Sequence, residues 1–143
     1  MKEIPFVETL SNSTIIYLVF MLGFTHNALP FKVPANVYYL LVLATGLNAY
    51  HTIVDFKSDL VAGHRTFATR FGKRATAGFA FFCCLVPLFF GRFESIEFRL
   101  LVWTSAAAVL MTLIYPRIAK FVMYIGGFWY IGLAISWLVR TWI

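Results

Sequence analysis

Five apolar runs alternate with short polar stretches along the chain. They cover residues 14–31, 37–54, 76–91, 98–115 and 121–139. Within each run the apolar positions are nearly continuous rather than alternating, and this predicts helices instead of half-buried strands. Each run approaches the roughly 20 residues a helix needs to cross a bilayer. A helix also satisfies its backbone N–H and C=O groups internally, as lipid requires. Pro116 stops the fourth run, Pro87 lies near the end of the third, and His26 and Asn27 interrupt the first. Most connections are short, so consecutive helices are expected to be neighbours in one bundle. The pattern predicts an all-α fold: a polytopic transmembrane bundle of five helices forming one domain over residues 1–143. The exception among the connections is a polar segment at 55–75.

Composition supports that reading. The chain is 61% hydrophobic and 13% charged, with a mean hydropathy of +0.80. A soluble domain averages about 25% charged residues. The formal net charge is +6, but the cations lie between apolar runs. They are better suited to orienting the chain in a membrane and to holding phosphate than to binding nucleic acid, and no nucleic-acid partner is expected. With a cytoplasmic N-terminus, Lys2, Lys57, Arg65, Arg70, Lys73, Arg74, Arg117 and Lys120 fall inside, against Lys32, Arg92, Arg99 and Arg140 outside. The excess predicts a multi-pass protein of the cytoplasmic membrane with the 55–75 loop on the cytoplasmic side. The N-terminus "MKEIPFVETLSNST" lacks the pattern of a cleaved signal, so the first run is expected to be retained. Cys83 and Cys84 are adjacent within an apolar run and suit packing better than a disulfide or a zinc site. The small residues at 105–108 and 126–132 suit close helix packing.

Seven of the eighteen charged residues fall in "DFKSDLVAGHRTFATRFGKR", residues 55–74. Just before and within it, Asn48, His51, Asp55 and Asp59 are spaced three, four and four apart. If the second helix continues to Asp59, they share one face that leads from the bundle interior to its rim. Polar side chains inside an apolar span should face the bundle or a water-filled cavity. Two carboxylates one turn apart can share Mg²⁺, which keeps several waters and binds phosphate oxygens. Gly63 frees the backbone for a turn, and Lys57, Arg65 and Arg70 can grip phosphate. The same residues are also compatible with a solvated loop whose aspartates pair with its own cations. His51 and Asn48 suit either hydrogen-bonded packing or a substrate cavity.

The longer pattern resembles the second aspartate-rich motif of the UbiA family of membrane prenyltransferases. That motif has the form DxxxDxxxGxxT and ends in Arg, a hydrophobic residue and Gly. Asp55, Asp59, Gly63, Thr66, Arg70, Phe71 and Gly72 match it position by position. The resemblance implies a nine-helix fold, of which these five helices would be the second half. It also implies transfer of a prenyl group from an isoprenyl diphosphate to a lipophilic or aromatic acceptor with Mg²⁺. Asp55 and Asp59 would be the catalytic, metal-binding pair, and Lys57, Arg65, Arg70, Asn48 and His51 would bind substrate. The family's earlier NxxxDxxxD motif has no counterpart here, since Asp55 and Asp59 are the only aspartates. The expected partners are therefore the isoprenyl diphosphate, the acceptor, membrane lipid and a separate N-terminal half carrying that first motif. The chain alone is expected to be inactive. The alternatives are a non-catalytic membrane subunit or a degenerate or truncated relative that binds prenyl diphosphate or a partner, and a transporter subunit using His51 and the aspartates as an ion path.

Overall fold

The computed structural model describes residues 35–93 and 95–142, with Thr9, Ser11 and Thr14. The predicted first helix at 14–31 lies, apart from Thr14, outside the described residues. The others are present. Helix α1 is Ala35–Val54, α4 is Lys73–Phe90, α5 is Ile96–Ile114 and α6 is Ala119–Trp142. Between α1 and α4 the expected loop folds into two short helices, α2 at Phe56–Ala62 and α3 at Phe67–Phe71. A 3-10 turn at Pro116–Ile118 joins α5 to α6, where the Pro116 ring closes the preceding helix. No strand occurs among the described residues.

The most extensive helix contact is α1 with α4, followed by α4 with α5 and α5 with α6; α6 also reaches back to α1. Residue size explains the first contact. On α4 the buried positions are Thr76, Ala77, Ala80, Cys83, Cys84 and Pro87, a narrow stripe of small side chains at helical spacing. Gly46 of α1 lies against it. A Cβ on Gly46 would come within 2.5 Å of the Cys83 Cβ and 3.0 Å of the Ala80 carbonyl oxygen. Both cysteines are buried free thiols, in keeping with the packing role read from their sequence context.

Polar ties fix the remaining helices. The buried Tyr50 hydroxyl donates to the Ala119 carbonyl at 3.1 Å and hydrogen-bonds the Thr112 hydroxyl at 2.9 Å. One α1 side chain thus holds the end of α5 and the start of α6. Ser105 of α5 hydrogen-bonds the Tyr130 hydroxyl of α6 at 2.9 Å. At the far end of the same pair, an Arg140 guanidinium nitrogen lies 3.2 Å from the Glu97 carboxylate, and the Ser95 hydroxyl donates to its other oxygen. Glu97 is only 5% exposed, so Arg140 supplies the counter-charge for a carboxylate held out of water. Contacts at both ends make α5 and α6 antiparallel.

Two helices, Lys73–Phe90 and Ile96–Ile114, are long and apolar enough to cross a membrane. Their outward faces carry exposed Phe82, Phe89, Trp103, Leu110 and Met111. The bundle therefore presents large apolar side chains outward while small ones fill its closest contact.

Candidate functional site

The motif segment is built from one bend and two glycine turns. Helix α1 ends at Val54, where the Asp55 N–H still donates to the His51 carbonyl at 3.4 Å and the backbone bends. Helical bonding then resumes, with the Asp59 N–H donating to the Asp55 carbonyl at 2.9 Å. The expected unbroken stripe of Asn48, His51, Asp55 and Asp59 is thus bent at Asp55. The two aspartates remain one turn apart. An aspartate at a helix start ordinarily accepts a first-turn N–H with its carboxylate. Asp55 occupies that position but makes no such side-chain bond. Its main-chain carbonyl instead takes the Ser58 hydroxyl at 2.8 Å. The Asp55 side chain is exposed and that of Asp59 half-buried.

Gly63 ends α2 with a left-handed backbone, φ 73° and ψ 14°. Its N–H donates to the Leu60 carbonyl at 3.4 Å, and the His64 N–H donates to the Asp59 carbonyl at 2.9 Å. These paired bonds form a glycine C-terminal cap, which explains a glycine four residues after Asp59. Thr66 then starts α3, and the Thr69 hydroxyl donates to the His64 carbonyl at 2.9 Å and the Thr66 carbonyl at 3.0 Å. The Ala68 N–H donates to the Thr52 hydroxyl of α1 at 3.0 Å and fastens α3 to the bundle. Gly72, at φ 84° and ψ 157°, turns the chain into α4 through a backbone conformation that side chains disfavour.

This folding places Arg65 and Arg70 in one cleft of about 480 Å³, with Leu60, Gly63, His64 and Thr69. Asp55, Asp59 and Lys57 do not line it. Lys57 is exposed, on the same turn of α2 as Leu60 and Val61. The nearby Lys73 ammonium sits 4.8 Å from the centre of the Phe56 ring. The sequence reading missed His64 and Thr69 as lining residues. Their only signal was position, between the motif glycine and Arg70.

Asn48 and His51 line a separate cavity of about 310 Å³ between α1, α5 and α6. Tyr50, Ser105 and Tyr130 contribute polar groups to its wall, and Ala44, Leu47, Val109 and Met123 contribute apolar ones. Ala108, Gly126 and Gly127 also face it, so part of the small-residue pattern opens space that was expected to be closed by packing. Ser105 and Ala106 are buried in the helix contacts as expected.

The Asp55–Asp59 pair fits a hard divalent cation on its chemistry. Both groups offer oxygen donors, neither is fully buried, and neither forms an ion pair among the described residues. Mg²⁺ commonly takes one or two carboxylates and fills its remaining positions with water or phosphate oxygens. No protein-family model, characterised protein or solved structure matches the chain.

Proposed function

We propose that this chain is the motif-bearing half of a membrane prenyltransferase of UbiA type. In this reading it is a multi-pass protein that holds an isoprenyl diphosphate at its cytoplasmic rim and directs the prenyl group to a lipophilic acceptor. The observation that carries the reading is the build of residues 55–70. Asp55 begins α2 without spending its carboxylate on a cap, Asp59 follows one turn later, and the Gly63 turn delivers Arg65 and Arg70 to one cleft.

Asp55 and Asp59 hold the divalent cation. Bound there, Mg²⁺ supplies charge neutralisation for the departing diphosphate. Arg65 and Arg70 grip the diphosphate oxygens and favour the state in which negative charge has moved onto the leaving group. Lys57 adds positive potential from the next turn. The cavity beside Asn48 and His51 receives an apolar portion of the substrates, with Asn48 and His51 orienting the acceptor. Its volume is at the lower end for small-molecule sites, about 300–1,000 Å³. A second reading, diphosphate binding without turnover by this chain alone, is favoured by its having only two aspartates.

Co-reconstitution with a first-half segment carrying NxxxDxxxD tests the assignment. Magnesium-dependent prenyl transfer is expected from the pair, and Asp55→Ala or Asp59→Ala should lower its rate about a hundredfold or more. Unchanged transfer by both variants would remove the proposed roles.

A further inference from the structure

Helix α2 has two unlike faces. At the helical repeat, Lys57, Leu60 and Val61 share one side, spaced i, i+3 and i+4, whereas Asp55 and Asp59 lie on the other. The proposed metal pair uses the aspartate side, while Leu60 of the other side also borders the Arg65–Arg70 cleft. No residue of α2 is buried. Leu60 is 60% exposed and Val61 90%, and beyond the glycine turn Phe71 is 52% exposed. Seven residues are too few for a helix that stands on its own propensity. The backbone turn at Gly63 holds it in place and leaves its apolar side uncovered.

The surroundings indicate what covers that side. The segment lies between the end of α1 and the first residue of α4, a helix long and apolar enough to cross a membrane. It therefore lies at the depth of the headgroups if α4 spans. Its cations are Lys57, Arg65, Arg70, Lys73 and Arg74, against two aspartates. Apolar tips flanked by excess positive charge match an interfacial helix seated on an anionic bilayer.

We propose that residues 57–74 form a lipid-docking surface: Leu60, Val61 and Phe71 enter the interface, and Lys57 and Arg74 meet phosphates of anionic phospholipid. Docking on that face turns the opposite side of α2, with Asp55 and Asp59, away from the headgroups. The proposal rests on the membrane placement, not on diphosphate being bound, although Leu60 also borders the Arg65–Arg70 cleft.

A nitroxide at Val61→Cys, in a chain carrying Cys83→Ala and Cys84→Ala, tests it by relaxation with oxygen and with a water-soluble nickel chelate. A label at Ala62→Cys is the control, since Ala62 is exposed and lies on the aspartate side of the helix. In bilayers containing phosphatidylglycerol, the label at position 61 should favour oxygen several-fold more than the label at position 62. Neutral lipid, or Lys57→Gln with Arg74→Gln, should reduce that preference. Equal access of the nickel chelate at the two positions would overturn the proposal. So would shielding of position 61 from both reagents, which would indicate a protein partner. If the cysteine-free background fails to fold, Leu60→Gln with Val61→Gln in the native chain provides the second arm. That variant should lose the gain in thermal midpoint that anionic nanodiscs give over neutral ones, and an unchanged gain would overturn the proposal. These readouts do not involve isoprenyl diphosphate, so the docking proposal and the prenyltransferase reading fail separately.

Discussion

Tyr50 shows how one polar atom can organise an apolar bundle. Its hydroxyl sits between the Thr112 hydroxyl and the Ala119 carbonyl, joining three helices at the end where the motif begins. Thr112 also donates to the Ala108 carbonyl at 3.1 Å, so two hydroxyl protons serve three contacts. Tyr50→Phe keeps the ring and removes that junction. It should cost about 1 kcal/mol, measured by unfolding in detergent. This role was not legible in the sequence, where Tyr50 reads as an aromatic suited to packing, interface anchoring or the lining of an apolar tunnel. Gly63 was legible, because a glycine four residues after an aspartate pair marks a turn, and the structure adds its left-handed backbone. His51 and Asn48 were legible as polar residues in an apolar span, and both line a cavity. Their neighbours in that cavity, Ser105 and Tyr130, come from sequence-distant helices and could not be paired with them by spacing.

Among the elements, the long helices follow directly from their apolar runs, and their ends fall within a few residues of the expected limits. The motif loop does not. Its charge and glycine content suggest irregular backbone, yet it folds into α2 and α3 because Thr52 fastens the Ala68 N–H and two glycines take positive φ. The break at Asp55 was also invisible, since nothing in the residue order distinguishes a bent helix from a straight one there. The tight contact of α1 with α4 depends on Gly46, which the sequence did not single out. Gly46→Ala should destabilise the bundle by roughly 1–3 kcal/mol, because its methyl group would overlap Cys83 and press on the Ala80 carbonyl. Gly78→Ala, in the open on α4, should be neutral or slightly stabilising. Paired thermal or denaturant unfolding of the two variants in one detergent checks the contrast.

At the scale of the whole molecule, the described motif residues and their polar neighbours gather toward one end of the bundle. The Tyr50 junction, the aspartate pair and the Arg65–Arg70 cleft all follow the last turns of α1, while Glu97 and Arg140 pair at the opposite end of α5 and α6. The cavity lined by Asn48 and His51 lies between α1, α5 and α6, toward the end of α1 that leads into the motif. This arrangement suits a substrate with an anionic head and an apolar body. Direct titration of the purified chain in nanodiscs with an unhydrolysable isoprenyl diphosphate analogue, with and without Mg²⁺, tests that claim most directly. Binding should require Mg²⁺ and weaken about tenfold to a hundredfold in Asp55→Asn with Asp59→Asn, and similarly in Arg65→Gln with Arg70→Gln. Binding that ignores Mg²⁺ and is unaltered in both variants would contradict it.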